Sequence, residues 1–282
     1  MGGDSSPPFF NTQNMKRLEL FEFEDLNWFP KTIRSGATNL LKVFHKMMGT
    51  SDVLVELIKQ AQIKVGFNQI TDLGSGSGGA MPSTIQAYNS ASSEKLSLKL
   101  SDKFPNPKVI EEVNGLNIDE VEYISTSVDA AELTSVPEGL KTMIASFHHM
   151  SPVTAANILN NAEEKGQPIL IYEVAENKMP TLLWWFLLPL SLGILFVMSL
   201  IMTPIVRPFS FSQFFWTYII PIIPIVYAWD GQASLMRTYT FKDIDGLIFN
   251  KSNPNYTWEI DVAKKANGKK AGYYIFGYPK TS

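Results

Sequence analysis

Residues 70–81 read Ile-Thr-Asp-Leu-Gly-Ser-Gly-Ser-Gly-Gly-Ala-Met, a short apolar strand that reaches Asp72 and then breaks into glycines at 74, 76, 78 and 79. No other segment constrains the fold as much. Glycine lets a backbone turn sharply at positive φ and lets a ligand approach where a Cβ would otherwise stand. A helix restarting just beyond such a turn offers unpaired N–H groups, so the loop suits a polar or charged ligand. No Lys-Ser/Thr pair follows the glycines, which excludes a P-loop.

The chain beyond this loop alternates short apolar runs with longer amphipathic ones. A helix is predicted over 83–92, a strand over 95–100 ending on Ser101-Asp102, a helix over 107–114 and a strand over 121–126 followed by Ser127-Val128-Asp129. A fourth strand, 141–147, leads into His148-His149, and a helix to about 164 leads into a fifth, 167–174, that carries Glu173. This rhythm predicts an α/β fold with a mostly parallel sheet and helices on both faces. Ligands in such sheets sit beyond the carboxyl ends of the strands, where Asp72, Asp102, Asp129, His148, His149 and Glu173 all fall. Ahead of the first strand, 33–63 reads as two helices, so residues 1–64 are expected to cap a cofactor-binding core at 65–178. The segment 17–30 mixes acidic residues with Phe21, Phe23, Trp28 and Phe29 and is too apolar for a free tail. At the other end, 256–263 and 272–278 form an antiparallel β-hairpin around Asn267-Gly268, whose flanking lysines 264, 265, 269 and 270 make a solvated tip.

Two templates fit the glycine loop. Gly74-x-Gly76-x-x-Gly79 matches the dinucleotide fingerprint, and Asp72-x-Gly74-x-Gly76-x-Gly78 matches motif I of the class I (Rossmann-like) S-adenosylmethionine-dependent methyltransferases. The acidic residue two places before the first glycine and the closing hairpin favour the second, and residues 65–282 resemble that family with one interruption. The resemblance implies S-adenosyl-L-methionine as cofactor. Asp72, Gly74, Gly76 and Gly78 would hold its methionine end, Asp102 the ribose hydroxyls, and the segment ending on Asp129 would lie beside the adenine. Phe147-His148-His149 would face the methyl group and acceptor. The family supplies no single catalytic residue to transfer. Where the acceptor must lose a proton, His148 or His149 is the expected base, since imidazole accepts protons near neutrality. No metal site is expected, because neighbouring histidines on a strand point apart and His45 is the only other one. An NAD(P)-dependent oxidoreductase and a non-catalytic, membrane-tethered cofactor-binding adaptor remain the alternatives.

The interruption is hydrophobic. Residues 179–206 and 208–229 carry no charge, with Arg207 alone between them, and each run is long enough to reach bilayer dimensions. Pro189, Pro204, Pro221 and Pro224 would break or kink these helices, leaving open a two-span hairpin, a re-entrant hairpin or a buried lid. The expected layout is a membrane hairpin at 179–229, with Asp230-Gly231 returning to water and 230–282 completing the core through a helix near 241–249 and the β-hairpin. An active site opening toward the bilayer would take a small-molecule or lipid-like acceptor. A net charge of -3 argues against nucleic acid, and the absence of cysteine is compatible with a reducing compartment. No secretory signal is read at the N-terminus, so the catalytic domain is expected on the cytoplasmic side. Met1-Gly2 with Ser6 formally fits an acylation signal, and Asn250-Lys-Ser252 and Asn255-Tyr-Thr257 fit glycosylation acceptors; all are expected to be chance matches.

Overall fold

A computed structural model describes residues 15–132, 137–248 and 253–280. The acylation-type motif and the Asn250 acceptor motif lie outside these residues. Seven strands, β1 (Gln69–Leu73), β2 (Ser97–Ser101), β3 (Val121–Tyr123), β4 (Leu140–Ile144), β5 (Ile169–Glu173), β6 (Tyr256–Lys264) and β7 (Lys270–Pro279), form one sheet ordered β3-β2-β1-β4-β5-β7-β6. All neighbours are parallel except β7, which runs antiparallel to β5 and to β6. The order reverses between β1 and β4, where Asp72 lies in register with Thr142, so a crevice opens there at the carboxyl ends.

Helices α1 (Lys31–Met48), α2 (Thr50–Val65), α3 (Met81–Ala91), α4 (Pro107–Asn114) and α5 (Pro152–Glu164) come before the hydrophobic segment. The central strands are buried along nearly their whole length because helices cover both faces, which is why β5 reads as an unbroken Ile-Leu-Ile-Tyr run. Leu54, Ile58, Ile70, Ile85 and Leu98 fill one layer, and Leu73, Phe147, Leu159, Ile171 and Ile275 fill the other. β4 stops earlier than predicted. Ala145 takes a left-handed φ of 51°, ending the strand, and the chain tightens into a one-turn 3-10 helix over Phe147–His149.

The hydrophobic segment folds as α6 (Thr181–Met202), the short α7 (Phe211–Phe214), a π-helical turn over Phe215–Ile219, and α8 (Ile222–Arg237). By length and composition Thr181–Ile205 is apolar enough to cross a membrane, whereas the second arm is bent by 83° at its break. Pro221 stands at that break and cannot donate the hydrogen bond that would continue the helix. The two arms are pinned together: Trp184 is buried on α6 and its indole N–H donates to Gln232 of α8 at 2.9 Å. α1 packs along them, so closely at Gly36 that a Cβ there would stand 2.3 Å from Ile223.

α8 runs through the boundary expected at 229–230. Asp230 is not a return to water but is buried, accepting the backbone N–H groups of Phe23 at 2.8 Å and Glu24 at 3.3 Å. The opposite side of α6 is different. Leu182, Phe186, Leu190, Ile194, Val197 and Ile201 are all exposed, and their spacing of three and four places them on one helical face about 30 Å long. A last helix, α9 (Phe241–Ile248), leads into the β6–β7 hairpin.

Candidate active site

The glycine loop leaves β1 and is fixed from below by its own strand end. Asp72 is buried and accepts from Thr142 Oγ1 and Ser75 Oγ, both at 2.7 Å. Burial raises its pKa to about 7 despite those hydrogen bonds. Asp72 therefore ties the loop to β4. Tyr123, at the end of β3, donates its hydroxyl to Gly76 O at 2.8 Å and anchors the loop from the other side. Gly76 sits at φ 52°, and a Cβ built on it meets nothing within 4 Å among the described residues, so the loop presents bare backbone there. Gly74 and Gly78 also adopt positive φ, but their added Cβ atoms would face Ser146 and Leu100.

Asp102 lies beside the loop as the sequence predicts. Its Oδ2 accepts from Gly76 N at 3.0 Å, while Oδ1 accepts from Phe104 N at 2.8 Å and closes the turn after β2. A carboxylate has about four lone-pair sites, so capacity is left over for ligand hydroxyls. Asp129 is turned to its own surroundings: Lys103 Nζ is at 2.6 Å and the Ala131 amide at 2.9 Å. Those two donors, Lys103 first, hold its carboxyl below the usual range. Val128 just before it donates to Asp102 O, which keeps the two acidic segments adjacent.

The 3-10 turn brings His148 and His149 together with rings 4.3 Å apart. The expectation that they point apart is corrected here, since alternation belongs to a strand and β4 has already ended. His148 is buried, and Glu173 grips it twice, accepting from its backbone N–H at 3.0 Å and lying 2.9 Å from Nδ1. His149 lies among carboxylates, with Asp25 at 3.5 Å, Glu24 at 3.8 Å and Glu22 at 3.9 Å.

Those three acids come from a strap the sequence reading did not place in the site. Residues 15–22 form neither helix nor strand and run past the end of α8, Leu18 N donating to Met236 O at 2.8 Å, followed by a turn over Phe23–Asp25. Arg17 is buried and donates to the carbonyls of His148 at 2.9 Å and Arg237 at 2.8 Å. Arg237, the last residue of α8, reaches Glu22 Oε1 at 3.1 Å, Asp25 Oδ2 at 2.6 Å and His149 O at 3.3 Å. Burial would raise the Asp25 carboxyl, but His149 and Arg237 more than offset it and hold it well below the usual range. Glu22 is fully buried, and burial lifts its pKa to about 7 against the pull of His149 and Arg237. Among the described residues its Oε2 has no hydrogen-bond partner, and the nearest ring nitrogen is His149 Nδ1 at 3.9 Å. Ligating atoms of Glu22, His148 and His149 lie within 4.8 Å of one another, the one such metal-sized group among the described residues. The positive partner beside it is the Arg237 guanidinium.

No family model matches the chain, and no curated protein matches it by sequence. Solved structures do resemble it. The plantazolicin methyltransferase BpumL in complex with SAH aligns at a TM-score of 0.54 and 13% identity, over 92% of this chain and 93% of that one. The same protein with a monoazolic desmethylPZN analogue and SAH aligns at 0.52 and 13%, over 88% and 89%. The chain has the class I methyltransferase fold, with its mostly parallel seven-stranded sheet and antiparallel β7.

Proposed function

We propose that the chain is an S-adenosylmethionine-dependent methyltransferase, seated on a membrane, that methylates a small lipophilic acceptor. The observation that carries this reading is the bare backbone at Gly76, opening beside Asp102 at the point where strand order reverses. That cradle fits the cofactor: Gly74, Gly76 and Gly78 would line its methionine end, with Asp72 holding the loop in shape, Asp102 accepting from the ribose and the Asp129 segment bordering the base. When bound, S-adenosylmethionine supplies a methyl group on a sulfonium that departs readily as a thioether.

What remains for the protein is to position, to exclude water and to take a proton. Glu173 fixes the ring of His148 through Nδ1, which leaves Nε2 to accept the proton of an acceptor hydroxyl or amine. His149, held among Asp25, Glu24 and Glu22, lines the same space. Arg17 and Arg237 lock the strap over both histidines by their carbonyls.

Membrane seating is supported by the exposed apolar face of α6 and by Phe209 and Phe211 at the hairpin tip, which water alone would disfavour. The 83° bend and the packing of α1 along both arms favour a hairpin lying in one leaflet over two straight spans. The cytoplasmic side is proposed for the catalytic domain. The test is transfer of label from methyl-tritiated S-adenosylmethionine into the organic-soluble fraction of membranes carrying the protein. Labelling that is lost with Gly76→Val supports the reading, and a protein without affinity for S-adenosylhomocysteine refutes it.

A further inference from the structure

Glu22, His148 and His149 hold ligating atoms within 4.8 Å of one another, and the contacts of each leave one such atom uncommitted. Glu22 is fully buried and spends Oε1 on Arg237 at 3.1 Å, while Oε2 has no hydrogen-bond partner among the described residues and lies 3.9 Å from His149 Nδ1. A buried carboxylate oxygen left this way costs free energy that a positive ligand restores. His148 spends Nδ1 on Glu173 at 2.9 Å, so Nε2 is the nitrogen left over. A carboxylate on the far nitrogen is the usual companion of a metal-binding imidazole, because it fixes the ring and raises its basicity. The surrounding charge also suits a cation. Glu22, Glu24 and Asp25 lie within 3.9 Å of His149 and Glu173 lies on His148, against the single guanidinium of Arg237; Arg17 is paired with Glu19.

We propose that Glu22 Oε2, His148 Nε2 and a ring nitrogen of His149 bind a divalent transition-metal ion of the zinc class. Two imidazoles and one carboxylate suit zinc, cobalt or iron(II), whereas magnesium and calcium take oxygen ligands. Ligands about 2.1 Å from one ion stand roughly 3 to 3.5 Å apart, so the 3.9 Å between Oε2 and His149 Nδ1 has to close by about half an ångström. His149 has room for that movement, its side chain being 24% exposed. Glu24 and Asp25 beside it are 24% and 44% exposed, so an ion reaches the buried carboxylate from water along this edge. Binding of the ion goes beyond the methyltransferase reading, and one consequence rests on that reading: the ion takes the Nε2 lone pair, so the loaded protein cannot use His148 as its base and methyl transfer is switched off.

The test is titration of the full-length, chelator-stripped protein, without cofactor, with zinc by calorimetry and with cobalt(II) by visible absorption, magnesium serving as the comparison. One ion should bind per chain, zinc well ahead of magnesium, and the cobalt spectrum should leave that of the aquated ion. Glu22→Gln, which keeps a carbonyl oxygen for Arg237, and His149→Ala, at a partly exposed ring, should each weaken zinc about a hundredfold or more, and Glu173→Gln about tenfold to a hundredfold through the orientation of His148. Glu24→Gln, outside the three ligands, should stay within about threefold. Zinc no tighter than magnesium, a cobalt spectrum that stays aquated, or full affinity in a folded His149→Ala overturns the site. A loss in Glu24→Gln equal to that in Glu22→Gln puts the ion on the exposed acids and overturns it as well. Label transfer from S-adenosylmethionine should stop as zinc fills the site, and transfer that persists overturns the switch. A stripped protein that transfers no label refutes the methyltransferase reading and leaves the binding results standing.

Discussion

Glu173 holds His148 from two directions at once, with one carboxylate oxygen 3.0 Å from its backbone nitrogen and the other 2.9 Å from Nδ1. The contact crosses from the end of β5 to the turn after β4, so a neighbouring strand sets both the position and the tautomer of the ring. Glu173→Gln should therefore cut methyl transfer by about 10²- to 10⁴-fold, as expected when a positioned base is presented in the wrong tautomer. Affinity for S-adenosylhomocysteine should not change. Activity within threefold of the parent would remove His148 as the base.

Gly76→Val should abolish binding of S-adenosylhomocysteine, because the branched side chain would fill the open space at the loop and strain a backbone held at φ 52°. Gly76→Ala, a milder intrusion at the same place, should weaken binding at least tenfold with circular dichroism unaltered. Binding at parental strength in a folded Ala variant would place the cofactor elsewhere.

Asp102→Ala should weaken S-adenosylhomocysteine by about 1.5 to 3 kcal/mol, through lost ribose hydrogen bonds and a loosened Gly76 amide. Binding of adenosine alone should fall by a similar factor. If only the melting temperature drops, Asp102 is confined to closing its turn through Phe104.

Acid should stabilise this protein over an unusual range. The Glu22, Asp72 and Asp230 carboxyls are each lifted by burial to about 7 from ordinary values of 4.5, 3.8 and 3.8. A raised carboxyl binds its proton more tightly in the folded state, so its contribution is complete below the unfolded value and is lost as pH climbs toward 7. His45, lowered by burial from its ordinary 6.5, opposes them within the same interval but is one group against three, and Asp25, held low, works in the opposite sense only below its ordinary 3.8. Scanning calorimetry of the unliganded protein should show the melting temperature falling from pH 5 to pH 7, with a shallower slope in Asp72→Asn. A melting temperature that rises across that interval would contradict the assignment.

Charged residues on the α6 face should free the protein from membranes without harming the site. Phe186→Glu combined with Ile194→Lys and Ile201→Glu changes only exposed positions. The parent should stay with membranes through carbonate and high salt, because the attachment is apolar. The triple variant should sediment as a soluble protein that still binds S-adenosylhomocysteine. A parent that is soluble without detergent would make the hairpin a lid.

The core was legible because burial on both faces writes itself as short apolar runs, and because the acidic residues at 72 and 102 come where those runs stop. What escaped lies in tertiary placement. The strap is far from β4 and β5 in sequence, and nothing local says that Glu22 will meet His149 and Arg237. One signal was present: Phe21-Glu22-Phe23-Glu24 alternates with a period of two, the mark of an extended segment with unlike faces. The turn at His148 was hidden by Ala145, a residue that seldom adopts positive φ and so gives no warning of a strand end.

Because α8 carries Trp229 and Asp230 at the hairpin and Arg237 at the histidines on one unbroken rod, the hairpin and the candidate site form one mechanical unit. Excision through α8 would leave the strap without the residue that clamps its backbone, and the candidate site would lose its roof. Polar substitutions therefore belong on the outside of α6, with every helix kept in place.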